Sequence, residues 1–293
     1  MICVRLMGGL GNQMFQYALG RRLASTHGTE LVLDLGWFSS GIGQPSRRYA
    51  LDCFALQSRL LTMTDRQVEA LERPLALRAL RAFLGRRRRA AALPPRFRTL
   101  RQRGVSFDPT AAAAPDGTLL VGYWQSERYF EPVADEIRRD FVFARDPPPL
   151  AREIAESASV GVHVRRGDYA TPGQTRDYHG SLEPRYYESA VGHLAARVKV
   201  ERIFVFSDDP AWSRDALQFE LPTTHVSDLG YADWEEMRLL SLCSHQVVAN
   251  STFSWWAAWL NDNPEKIVVA PKRWFSDPAA DPDGLVPPGW HRL

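Results

Sequence analysis

Two adjacent arginines close an apolar stretch. Val160-Gly161-Val162-His163-Val164 runs straight into Arg165-Arg166-Gly167-Asp168-Tyr169. Crowding two guanidinium groups at the end of a buried strand is costly unless anions compensate them. Alternation puts Val160, Val162 and Val164 on one face and Gly161, His163 and Arg165 on the other. Three further polar loops stand at the ends of expected strands: residues 8–13, 207–210 and 250–254. Their chemistries complement one another. Arg165 offers a planar fork suited to phosphate oxygens. Ser251 and Thr252 open a helix, where free N–H groups and the dipole favour an anion. Asp208 and Asp209 are acceptors, suited to hydroxyls or to nucleobase N–H groups. Together they describe a nucleoside diphosphate held without a metal, with Arg in place of a divalent cation.

Each element also has a structural reading. Arg166 faces the valine side, where it would pair with a carboxylate. Asp208-Asp209-Pro210 reads equally as a helix cap, and so does Ser251-Thr252. Trp255, Trp256 and Trp259 read as core. Gly8-Gly9-Leu10-Gly11 completes neither a G-x-G-x-x-G, since Met14 stands in the last glycine position, nor a P-loop, since no Gly-Lys-Ser/Thr follows.

The elements that must carry these loops alternate. A strand at 2–6, a glycine turn, a helix at 13–27 capped by Asn12 and a strand at 30–34 form a βαβ opening. The helix is expected to be amphipathic through Phe15, Leu19 and Leu23. Residues 111–114 are expected in a loop, 119–124 in a strand and 131–141 in a helix. The second half runs strand 160–164, helix 184–198, strand 202–206, a helix beginning at Pro210, strand 224–227, helix 233–243, strand 246–249, helix to 260 and strand 267–270. This pattern predicts an α/β protein of two Rossmann-like domains facing a cleft, each with a parallel, doubly wound sheet. The boundary is set at the proline run 147–149. Residues 1–148 form the first domain and 149–293 the second, with the last residues free to return to the first.

Composition narrows the classes. A formal net charge of +2 over 293 residues gives no footprint for nucleic acid. Cys3, Cys53 and Cys243 are distant and odd in number, which argues for buried thiols and against a disulfide framework. The histidines show no metal-ligand spacing. No signal peptide and no apolar run of membrane-spanning length is evident, so the expected location is the cytoplasm. Arg86-Arg87-Arg88-Arg89 ends an expected helix at 75–89. It reads as a solvated helix end or as a peripheral contact with an anionic membrane surface.

The motifs resemble those of the α-1,2-fucosyltransferases. Gly8-Gly9-Leu10-Gly11-Asn12-Gln13-Met14-Phe15-Gln16-Tyr17-Ala18 is similar to the opening motif of that family. His163-Val164-Arg165-Arg166-Gly167-Asp168-Tyr169 resembles the H-x-R-R-x-D motif shared among fucosyltransferases. Phe206-Ser207-Asp208-Asp209-Pro210, Asn250-Ser251-Thr252-Phe253-Ser254-Trp255-Trp256 and the stretch from Gly122 to Phe130 follow the same family in order. The resemblance implies a GT-B fold and GDP-β-L-fucose as donor. It implies an inverting transfer to O2 of a terminal galactose on a glycan acceptor, with no metal or other cofactor. It implies that Arg165 binds the leaving diphosphate, that His163, Asp208 and Asp209 serve the guanosine side, and that Ser251 and Thr252 hold phosphate oxygens. Asn12 would lie near the reacting centre, and Gly9 and Gly11 would let backbone approach the donor. Asp168 and Glu127 are the candidate bases, and Trp124 and Glu127 are expected on the acceptor side. The rival readings are a nucleotide-sugar or glycan binding protein without turnover and a Rossmann oxidoreductase.

Overall fold

The computed structural model describes residues 1–40, 47–56, 58–72, 98–166, 180–276 and 284–293. The expected helix at 75–89 with its arginine run, and Asp168, lie outside these residues. The chain divides into two compact units, Met1–Val142 and Phe143–Leu293, so the proline run 147–149 falls just inside the second.

The first unit contains β1 (Ile2–Arg5), α1 (Leu10–His27), β2 (Leu31–Asp34), β3 (Arg59–Leu61), α2 (Asp65–Glu72), β4 (Arg98–Arg101), α3 (Pro109–Ala112), β5 (Thr118–Val121) and α4 (Ala134–Asp140). Its strands form one parallel sheet in the order β3-β2-β1-β5-β4. β1, β2 and β5 are buried at every position, which is why they read as continuous apolar runs rather than alternating ones.

Five local expectations are corrected here. α1 starts at Leu10 with Gly9 as its N-cap, so Asn12 does not cap it. Gly8, at φ +75°, turns the chain early, and the Asn12 side chain is used elsewhere. α1 is not amphipathic in its first half, because Gln13 through Gly20 are all buried. Residues 109–112 form a short helix, since the Asp108 carboxylate accepts the Thr110 N–H at 2.8 Å. β5 ends at Val121 rather than Trp124, because Trp124 adopts φ +55°. The 131–141 helix opens with a 3-10 turn, Glu131–Val133, before α4.

The second unit contains α5 (Ala151–Ala155), β6 (Ser159–Val164), α6 (Pro184–Ala195), β7 (Arg202–Ser207), α7 (Pro210–Ala216), β8 (Thr223–His225), α8 (Asp233–Leu242), β9 (His245–Val247), α9 (Thr252–Leu260), β10 (Val268–Ala270) and β11 (His291–Arg292). These strands form a parallel sheet in the order β11-β10-β9-β6-β7-β8. The last residues thus pair with β10 rather than returning to the first unit. Val160, Val162 and Val164 pack with Ile203 and Val205 against Tyr187, Ala190, Val191 and Leu194 of α6. Burying each such side chain contributes roughly 1.5–3 kcal/mol. On the opposite face, a Cβ at Gly161 would stand 2.5 Å from Leu240 Cδ1, so glycine is what lets α8 approach. Trp255, Trp256 and Trp259 are core, and the Trp255 indole donates to Leu285 O at 2.8 Å. The three cysteines are buried and free.

Each sheet places its first strand centrally and extends to both sides. The order in which strands are added reverses between β1 and β5 in one unit and between β6 and β9 in the other, with all strands parallel. Ligands of open α/β sheets bind at the carboxyl edge of such switch points. Among the described residues, no helix is long and apolar enough to cross a membrane.

Candidate active site

The carboxyl edge of the second sheet gathers the loops after β6, β7 and β9. Arg165 Nη1 pairs with Asp208 Oδ2 at 2.7 Å. Asp208 Oδ1 accepts the Arg166 backbone N–H, also at 2.7 Å. One carboxylate thus grips both arginines and fixes the direction of the Arg165 fork. The Arg166 guanidinium lies 3.8 Å from the centre of the Trp212 ring, with Asp209 Oδ2 3.9 Å from its Nε. Trp212 packs on the valine side of β6, so Arg166 is buttressed there, as its parity in the strand requires. Asp209 caps α7, accepting the Trp212 N–H at 3.2 Å, while its own N–H donates to Ser207 Oγ.

His163 is 5% exposed, and its ring stacks on Phe253 with centroids 5.1 Å apart. That contact joins the end of β6 to the start of α9. Burial, reinforced by the Arg165 charge, lowers the imidazole pKa to about 3. His163 is therefore neutral across the physiological range, and its buried Nδ1 has no partner among the described residues. Ser251 caps α9, its Oγ accepting the Phe253 N–H at 3.3 Å, and Thr252 begins the helix. Asn250 Nδ2 donates to Gly180 O and Trp274 O, both at 3.3 Å, which anchors the loop from below. His163, Arg165, Asp208, Asp209, Ser251 and Thr252 therefore share one edge.

Glu236 on α8 is a site residue that sequence reasoning missed. Its Oε2 accepts from Ser227 Oγ at 3.1 Å, and Ser227 Oγ accepts the Ser207 N–H at 2.8 Å. Burial, together with the nearby Asp233 and Asp208, raises its pKa to about 7. An acid–acid–methionine run in a helix is no signal by itself; only the fold brings it to β7.

The first sheet's edge sets buried amides beside charged groups: Arg5 at the end of β1 pairs with Asp34 (3.8 Å) and with Asp65, and Arg47 lies against the glycine turn. Gln13 and Gln16 are fully buried on α1. The Gln13 side chain donates to Gly8 O (3.0 Å) and Arg48 O (2.8 Å) and accepts the Ala50 N–H (2.9 Å). Gln16 accepts the Met7 N–H (2.9 Å) and donates to Gly122 O (3.0 Å). Gln125 Nε2 donates to Asn12 Oδ1 at 2.9 Å. A Cβ at Gly8 would lie 2.5 Å from Asn12 Nδ2, and one at Gly9 would lie 2.9 Å from Arg47 Nη1. The glycine turn therefore makes room for two side chains. Gly11 is buried in the first turn of α1. Trp124 is wholly buried, whereas its neighbour Tyr123 is exposed. Glu127 opens a short 3-10 turn, Glu127–Tyr129, and is half-buried. Polar residues inside an apolar helix were the available signal for Gln13 and Gln16.

The family model described as glycosyl transferase family 11 matches residues 100–293. The O-antigen biosynthesis glycosyltransferase WbnK of Escherichia coli is 31% identical over 287 residues, 92% of this chain and 94% of the relative. An alpha-1,2-colitosyltransferase of Escherichia coli is 29% identical over 303 residues, 100% of this chain and 98% of the relative. Galactoside 2-alpha-L-fucosyltransferase Sec1 of Mus musculus is 35% identical over 158 residues, 48% of this chain and 41% of the relative.

Proposed function

The chain belongs to glycosyl transferase family 11, and from that premise we propose that it moves L-fucose from GDP-β-L-fucose to O2 of a terminal galactose, with inversion and without a metal. The observation that carries this reading is the Arg165–Asp208 pair at the β6 edge, beside the capped N-terminus of α9. As the bond from C1 of the sugar to the diphosphate breaks, negative charge grows on the departing phosphate oxygens. A guanidinium already oriented by Asp208 meets that charge without reorganising. Ser251, Thr252 and the first N–H groups of α9 supply further donors. Neutral His163 and the acceptors Asp208 and Asp209 serve the guanosine side.

In a GT-B arrangement, which two parallel-sheet units support, the donor belongs to the second unit and the acceptor to the first. Gly9, Gly11 and Asn12 would then approach the sugar from the first unit. The acceptor hydroxyl attacks C1 from the face opposite the diphosphate, and a carboxylate removes its proton. Asp168 and Glu127 are the candidates for that base.

The test is GDP release from GDP-β-L-fucose with a β-galactoside such as lactose, in EDTA, with the product linkage read by NMR. An α-1,2-linked product supports the reading. Loss of turnover in EDTA removes metal independence, and a different linkage removes the O2 claim. GDP-colitose, whose sugar is fucose without its 3-hydroxyl, is the second donor to assay, because the full-length match is to a colitosyltransferase. GDP binding without transfer to any galactoside would favour a binding protein. We further propose that Arg86, Arg87, Arg88 and Arg89 touch an anionic membrane surface that presents a lipid-linked acceptor. Unchanged sedimentation with anionic liposomes after Arg→Ala replacement of the run would remove that contact.

A further inference from the structure

Trp124 is the one non-glycine residue at positive φ among the described residues. For a bulky aromatic this conformation is strained. A second cost accompanies it, because the buried indole N–H has no partner among the described residues. The kink is nonetheless held firmly. Gln102 Oε1 accepts the backbone N–H groups of both Tyr123 (2.7 Å) and Trp124 (3.1 Å), and the Trp124 ring packs edge-on against Tyr129 at 5.8 Å. The consequence is to turn Tyr123 outward at the carboxyl edge of β5, at the β1/β5 switch point. At 40% exposure, Tyr123 is the only exposed aromatic among the described residues. Two residues along the chain, Gln125 bonds to Asn12, and the Arg47 charge acts on the Tyr123 hydroxyl.

We propose that Tyr123 is the platform on which the acceptor's terminal hexopyranoside sits, held in place by the Trp124 kink, with the Asn12–Gln125 amide pair following it in the chain. An aromatic face takes the apolar C–H face of a pyranose, and amides match its hydroxyls as both donor and acceptor. Trp124 itself is a positioning residue, since its buried ring cannot touch a ligand. The proposal rests on the transfer reading above, naming the residues that take its acceptor.

The experiment compares Tyr123→Ala, Tyr123→Phe and Gln125→Ala with the wild-type chain. Acceptor KM and kcat are measured at saturating donor, GDP affinity by calorimetry, and galactoside binding in the presence of GDP by ligand-observed NMR. Tyr123→Ala is expected to raise acceptor KM at least tenfold and to abolish the galactoside signal, with GDP affinity unchanged. Tyr123→Phe should stay within threefold of wild type, because the ring is retained. Gln125→Ala should raise KM by a smaller factor. An acceptor KM within twofold of wild type in Tyr123→Ala would overturn the platform, as would an equal loss in Tyr123→Phe or a matching loss of GDP affinity. If wild type transfers no sugar but Tyr123→Ala still abolishes galactoside binding, the transfer reading fails and the platform stands.

Discussion

At the carboxyl edge of the second sheet, Arg165, Arg166, Asp208 and Asp209 hold the loops through charge. At the equivalent edge of the first sheet, Asn12, Gln13, Gln16, Gln102 and Gln125 hold the loops mainly through neutral amides, beside the Arg5–Asp34–Asp65 ion group and Arg47. Both edges lie at switch points of parallel sheets, so topology alone does not distinguish them. The side chains do. A guanidinium gripped by a carboxylate is pre-aimed at an anion, and its strength depends on protonation and salt. A buried amide clamp is directional, indifferent to pH across the physiological range, and costly to break because both partners are then left unsatisfied. In the proposed reading the second sheet's edge takes the diphosphate and the amide-rich edge of the first takes the sugar.

The largest effect expected from this contrast is at Arg165. Arg165→Ala should lower kcat by about 10²–10³-fold, the scale of losing one pre-organised donor to a developing anion. It should weaken GDP binding while leaving the thermal midpoint nearly unchanged. Turnover within threefold of wild type would remove Arg165 from the leaving-group role.

Gln16→Ala should do the opposite. It strands the Met7 N–H and the Gly122 carbonyl, and should cost about 2–3 kcal/mol in a urea unfolding series. GDP affinity should not move. A GDP effect as large as the stability effect would mean that the two edges are not separable in this way.

The last effect concerns pH and leaves both ligand edges in place. The Glu236 pKa is about 7 in the folded chain and near the ordinary 4.5 of a free glutamate when unfolded. The native state therefore holds the proton more tightly, and stability falls as pH rises from about 4.5 to about 7. The penalty is absent below that window and complete above it. Glu236→Gln should remove this slope, becoming more stable than wild type at pH 8 and equal to it at pH 4, as read from urea midpoints. Identical pH profiles for the two proteins would contradict the assignment.

Much of this architecture was legible in the chain. Alternating valines, Pro184 at the start of α6, Asp209 before Pro210 and Ser251 before Thr252 are local signals, and each marks an element end in the structure. The loops after β6, β7 and β9 were legible as polar residues following apolar strands. Tyr123 and Glu236 were not, because nothing in their own neighbourhoods marks them. Tyr123 is exposed only because Trp124 turns inward and Gln102, from the loop after β4, accepts both N–H groups. Asn12 misled for the same reason: it looks like a cap in sequence, but its carbonyl is taken by Gln125 from beyond β5.

Local sequence thus set where strands end and helices begin, since capping, glycine turns and apolar periodicity act over a few residues. The same residues carried the family motifs and with them the class of reaction. Folding decided which side chain meets which: that Asp208 grips Arg165, that Phe253 covers His163, and that Glu236 lies against Ser227. These depend on long-range pairing of parallel strands and on burial, which changes what a carboxylate or an imidazole costs to charge. A residue's type states what it can do, and its desolvated neighbours settle what it does.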